Sequence, residues 1–166
     1  MDEDYLIAEV LAQTKTIAMV GASANWKRPS FFVMKYLQKH GFRVIPVNPG
    51  LAGQTLNGEI CYESLSAIPD AIDLVDIFRR SEECPALAEE AAAIGAKSLW
   101  LQIGVISEQA QKTAADHGMQ FIQDKCPKIE HSRLSGLLGL GGFYSETLSS
   151  HRASHRQPRR PAGAAV

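Results

Sequence analysis

The chain has 166 residues, 45% of them hydrophobic and 21% charged, with a formal net charge of −1. That length suits one domain able to bury about two thirds of its unfolded surface, so folding requires neither disulfides nor a structural metal. A near-neutral balance sets up no global field for nucleic acid or an anionic membrane, and any anion site has to be built locally. The acidic start Met1-Asp2-Glu3-Asp4 is the opposite of a secretory signal, and no apolar run approaches the ~20 residues of a membrane span. Cys61, Cys84 and Cys126 stand apart with no C-x-x-C pairing, which fits a reducing compartment; the cytoplasm is the expected location.

In chain order, Asp4 to Gln13 carries Leu6, Ile7, Val10 and Leu11 at helical spacing and predicts an amphipathic helix. Thr16 to Val20 follows as an apolar strand. A unit of helix, glycine and β-rich run then recurs three times. It reads Phe31 to His40, Gly41, Arg43 to Val47; then Pro85 to Ile94, Gly95, Ser98 to Gln102; then Glu108 to His117, Gly118, Gln120 to Gln123. Each glycine marks a helix end in the left-handed region, and His40 and His117 suit the negative carboxyl ends beside them. Ile72 to Phe78 supplies another strand, in which Asp73 and Asp76 are anomalous; at least one of them should sit at a strand end or make a hydrogen bond.

Strands alternating with helices imply βαβ units and right-handed crossovers. The expected class is α/β: a doubly wound, mainly parallel five- to six-stranded sheet with helices on both faces. Five strands are principal, with a short extra one near Ile60-Cys61-Tyr62. The domain is expected over 1–134. Residues 135–166, rich in Gly, Ser, Arg and Pro, are expected to form a largely disordered basic tail, solvated rather than nucleic-acid-binding.

Ligands of such sheets lie beyond the carboxyl ends of the strands, where strand order reverses. There the first strand runs into Val20-Gly21-Ala22-Ser23, and Lys27 and Arg28 precede Pro29 and Ser30. Gly21 and its small neighbours admit a bulky anion, Pro29 suits a first helical turn, and the helix start offers free N–H groups. Two adjacent cations complete a phosphate site; solvated loop cations are the bland alternative. The fourth strand ends in Phe78-Arg79-Arg80-Ser81, with Ser81 expected as N-cap of the next helix and Glu82 and Glu83 favouring its dipole. Arg79 and Arg80 face the same crevice, or else pair with those glutamates.

A dinucleotide fits poorly. The G-x-G-x-x-G fingerprint would need glycine where Ser23 and Trp26 stand, and a carboxylate for the ribose where the second strand ends Val47-Asn48-Pro49. Coenzyme A carries a diphosphate and a phosphate monoester, about three to four negative charges that Lys27, Arg28, Arg79 and Arg80 could answer.

Taken together, these segments resemble the small bacterial and archaeal CoA-binding proteins and, more distantly, the Rossmann-like CoA-binding domain of the succinyl-CoA synthetase alpha subunit. The matching stretches are Val20 to Ser23 with Arg28 to Ser30, Ile45 to Pro49, Asp73 to Arg79, Leu101 to Val105, and Asp124 to Glu130. The resemblance implies CoA or an acyl-CoA along the sheet's carboxyl edge. Gly21, Ala22, Ser23 and the residues to Ser30 would hold phosphates, and Val47, Asn48 and Pro49 would line the nucleotide side. Phe78 and Arg79 with Gln102, Ile103 and Gly104 would close the other flank. Synthetases often place a lysine where Gly50-Leu51 stands here, which removes one phosphate contact. They also carry a phosphorylated histidine in a later domain that these residues do not include, so synthetase activity is not implied.

No complete catalytic set emerges. Cys126 and His131 invite a nucleophile–base reading, but Cys126, just before Pro127, reads rather as a packed or turn residue, and no metal spacing occurs. Cys84, in a helix's first turn, is a weaker candidate for a mixed disulfide with CoA, and Trp26 either covers a ligand or caps its loop. The expected function is non-catalytic CoA binding, in a protein that stands alone, self-associates or joins a partner protein. Two alternatives remain open: a synthetase-type subunit completed by a partner chain, and an NAD(P)- or nucleotide-responsive regulator.

Overall fold

The computed structural model describes residues 2–141, with side chains through Ser135. Helix α1 (Glu3–Gln13) opens on Asp2, whose carboxylate accepts the Asp4 N–H at 3.3 Å. The chain continues through β1 (Thr16–Val20), α2 (Pro29–Lys39) and β2 (Arg43–Val47). A small antiparallel pair follows, β3 (Thr55–Leu56) and β4 (Glu59–Ile60). Then come β5 (Leu74–Ile77), α3 (Cys84–Ala93), β6 (Ser98–Leu101), α4 (Glu108–Asp116), β7 (Gln120–Ile122) and α5 (Pro127–Gly141).

Five strands form one wholly parallel sheet in the order β2-β1-β5-β6-β7. The order reverses between β1 and β5, the two strands that lead outward in opposite directions. Buried residues of α1, α2 and α5 pack with Met19, Leu74 and Trp100 on one face, and those of α3 and α4 pack with Val75, Ile77 and Leu99 on the other. The expected α/β architecture is the one observed. The extra strand differs from expectation: Glu59–Ile60 pairs with β3 outside the main sheet, and Tyr62 makes a single parallel bridge to Val47. Asn57 and Gly58, both at positive φ, turn the chain back too soon for a longer strand.

Gly41, Gly95 and Gly118 all lie at positive φ just past their helices, as their placement predicts. His40 and His117 close α2 and α4, each with ring Nδ1 against the carbonyl four residues back, at 2.8 and 2.9 Å. The helix α5 had no counterpart in the sequence reading, and it crosses Leu134. Its start follows from Pro127 in the first turn, where a missing N–H costs nothing. Arg133 anchors it, with a two-pronged hold on Asp4 at 2.6 and 3.0 Å and two bonds to Glu130 at 2.6 and 3.0 Å. That contact spans 129 positions of sequence, which is why local pattern could not reveal it. Residues 142–166, most of the expected tail, lie outside the described residues.

Candidate functional site

The parallel ladder delivers three loops to one edge. Beyond β1, Gly21 sits at φ 86°, and its N–H and that of Ala22 reach Val47 O at 3.0 and 3.4 Å. A Cβ on Gly21 would stand 2.4 Å from the Phe78 carbonyl oxygen, so no other residue lets the β1 and β5 loops pass so closely. Asn48 staples the same loop: its amide N–H donates to Ala22 O at 2.8 Å and its oxygen accepts the Gly50 N–H at 2.9 Å. Both of its polar atoms are thus engaged in holding backbone. Ser23 and Asn25 tighten the turn, Ser23 Oγ accepting the Asn25 N–H and Asn25 Oδ1 the Lys27 N–H, each at 3.0 Å.

These loops enclose a crevice of about 860 Å³ lined by Gly21 to Ser23, Arg28 to Ser30, Asn48, Phe78 to Glu83 and Gln102 to Val105. The amino end of α2 opens into it without a side-chain cap, so the positive end of its dipole borders the space; Pro29 has no N–H, and the Phe31 N–H reaches Arg28 O at 3.0 Å. Among the described residues the Arg28 side chain pairs with no carboxylate. Arg79 donates to Glu83 at 2.7 and 3.2 Å, an ion pair that holds the Glu83 carboxyl below its usual range. Arg80, 83% exposed, approaches the same glutamate at 3.6 Å. A second cavity of about 310 Å³ adjoins the crevice beyond that ion pair, lined in part by Val20, Val47, Pro49, Leu65 and Leu87.

Of the residues singled out from sequence, Gly21, Ala22, Ser23, Arg28, Pro29, Ser30, Asn48, Phe78, Arg79, Arg80, Gln102, Ile103 and Gly104 converge on the crevice. Val47 and Pro49 line the neighbouring cavity instead. Lys27 lines neither; its Nζ lies 5.4 Å from the centre of the exposed Trp26 ring. Ser81, Glu82, Glu83 and Val105 join the lining without having been named as site residues. The alternative read from sequence, that Arg79 and Arg80 pair with nearby glutamates, is the arrangement observed, with Glu83 as the partner, although both arginines also line the crevice.

Several side chains have other duties than those expected. Ser81 is not an N-cap: its Oγ accepts the Ile106 N–H at 3.1 Å, Arg80 precedes a short 3-10 turn over Ser81–Glu83, and Glu83 stands at the cap position of α3. Tertiary structure offered that hydroxyl a distant donor. Cys84 is fully buried, its thiol donates to Arg80 O, and burial pushes its pKa up to about 11, so it is no ready nucleophile. Cys126 is buried as expected of a packing residue. His131 is buried too, with Nδ1 2.9 Å from the Tyr36 hydroxyl. Asp73 meets the strand-end expectation: its Oδ2 accepts the Lys15 and Thr16 N–H groups at 2.9 and 3.0 Å. Among the described residues no cluster of His, Cys, Asp and Glu could hold a metal, and no helix is long and apolar enough to cross a membrane.

Comparison with known proteins finds relatives of this fold. An uncharacterized protein of Bacillus subtilis, YneT, is 38% identical over 126 residues, which are 76% of this chain and 92% of that protein. The ADP-forming acetate–CoA ligase II of Archaeoglobus fulgidus is 32% identical over 115 residues, 67% of this chain but only 17% of the ligase. A hypothetical protein of Pyrococcus horikoshii superimposes with a TM-score of 0.76 at 38% identity, covering 80% of this chain and 92% of that one. Residues 15–132 match the family model described as a CoA binding domain, a span that includes every lining residue of the crevice, and the chain therefore belongs to the CoA-binding domain family.

Proposed function

We propose that this chain binds CoA or an acyl-CoA in the crevice at the sheet's carboxyl edge, without a complete catalytic set of its own. The observation that carries this reading is the uncapped amino end of α2 opening into the crevice beside the Arg28 guanidinium, which pairs with no carboxylate among the described residues. A guanidinium offers two parallel N–H donors to a phosphate, a geometry no exposed lysine reproduces. Arg79 and Arg80 approach from the opposite wall, and Arg79 exchanges Glu83 for phosphate when ligand arrives. Val47 and Pro49 support the nucleotide end, and Ile103 and Gly104 support the other flank.

The test is a thermal-shift titration with CoA, dephospho-CoA and NAD. CoA at a hundredfold over its Kd adds ~2.7 kcal/mol to stability. Dephospho-CoA does less and NAD at equal concentration does nothing. Equal responses to NAD and CoA would overturn the assignment. The matches to ADP-forming acetate–CoA ligases favour a second reading, in which a partner chain completes an acyl-CoA synthetase-type enzyme. Co-purification of an ATP-hydrolysing partner, with CoA thioester formed only by the pair, would select it.

A further inference from the structure

Among the described residues, three buried side-chain polar atoms find no hydrogen-bond partner: both carboxyl oxygens of Asp76 and the Oε1 of Gln102. Buried polar groups are paired with few exceptions, so orphans on neighbouring strands call for a common explanation. Asp76 lies in β5 opposite Trp100 of β6, and Gln102 follows Trp100 by two, with its N–H on the Ile77 carbonyl continuing the ladder. The period of two puts both side chains on the same sheet face, diagonally adjacent in register, with Gln102 lining the crevice and Asp76 fully buried.

The flanking strands offer Asp76 no free donor side chain. Its register partners are Met19, which is apolar, and Trp100, whose indole N–H already donates to Lys125 O at 2.8 Å. No described cation pairs with it, and it is 0% exposed. Burial pushes its carboxyl well above the ordinary range by penalising the charged form, and the protonated carboxyl that burial favours can donate as well as accept. Gln102 Oε1 is the acceptor that such a donor lacks. The Nε2 of the same amide is not among the orphans.

We infer that Asp76 is a positioning residue whose carboxyl O–H donates to Gln102 Oε1, directly or through one buried water, turning the Gln102 amide N–H toward the crevice. Gln102 then meets ligand as a donor, selecting phosphate or carbonyl oxygens and rejecting ligand N–H groups. This specificity rests on the CoA reading of the crevice; the hydrogen bond itself does not.

The two are separated by experiment. In the ligand-free protein, carbon-13 NMR should find the Asp76 carboxyl protonated near neutral pH. The Gln102 side-chain amide resonances should move in Asp76→Leu and stay close to wild type in Asp76→Asn, whose amide N–H restores a donor. For CoA affinity, Asp76→Leu should weaken binding about tenfold and Asp76→Asn by no more than about threefold. An ionised Asp76, Gln102 resonances indifferent to both variants, or equal loss in both variants overturns the inference. If wild-type protein ignores CoA, the functional reading fails while the ligand-free spectra still decide the pairing. Should Asp76→Leu not fold, the carboxyl signal and the Asp76→Asn spectra decide it.

Discussion

The two ends of the parallel sheet carry charges of both signs and treat them oppositely. At the amino end, Asp73 binds two backbone N–H groups and Lys97 Nζ at 3.3 Å, while Arg43 is shared between Glu59 and Asp70. Gln120, at the start of β7, donates to Glu9 of α1 at 3.0 Å. Each of these polar groups is answered by the chain itself. At the carboxyl end, Arg79 pairs with Glu83, but a helix start is uncapped, Arg28 has no carboxylate partner among the described residues, and the exposed Arg80 comes no nearer than 3.6 Å to the same glutamate. One rim is closed by its own chemistry; the other is left open to foreign anions. The direction of the strands explains the asymmetry, since in βαβ units helix amino ends cluster at the carboxyl rim and concentrate positive potential there.

This contrast can be broken in a graded series. The largest effect should come from Gly21→Val, which puts a side chain at φ 86° against the Phe78 carbonyl. We expect about 3 kcal/mol of lost stability in urea unfolding, or no folded protein. Next is the closed rim: Asp73→Ala strands two N–H groups and should cost about 2 kcal/mol, while the melting-temperature shift induced by CoA stays as in wild type. At the open rim the pattern inverts. Arg28→Ala should change stability by less than about 0.5 kcal/mol yet weaken CoA about tenfold in calorimetric titration. An Arg28→Ala protein that lost stability instead would erase the distinction between the rims.

The smallest effect is acid-dependent. Arg79 holds the Glu83 carboxyl below its usual value, so the pair's contribution is present above the unfolded pKa and vanishes as pH falls through the folded one. Both side chains are partly exposed, which limits the contribution to a few tenths of a kcal/mol. Glu83→Gln should therefore flatten the stability curve slightly below about pH 4.5. Asp76 carries the opposite sign. Its raised pKa contributes stability that is complete below the unfolded value near 3.8 and is lost as pH rises through the folded value. Asp76→Asn should remove that decline, as chemical denaturation followed upward in pH from about 3.8 would reveal.

Much of the fold and crevice was legible in the residues themselves. Thr16 to Val20 and Arg43 to Val47 read as strands because their apolar runs are bounded by breakers, and both have those bounds in the structure. Gly41, Gly95 and Gly118 mark helix ends because the left-handed region excludes most side chains. Arg28 beside Pro29, after a strand ending in glycine, pointed to the crevice for the same local reasons.

Tertiary structure alone decided the rest. The helix α5 depends on Arg133 meeting Asp4, Ser81 serves Ile106 rather than its own helix, and Asn48 is occupied by Ala22 and Gly50. Asp76 looked out of place in its strand, but only the register beside Trp100 set it diagonal to Gln102. Periodicity and turn chemistry act over a few residues and can be read along the chain; the partner of a polar side chain is set by which strands and helices pack together.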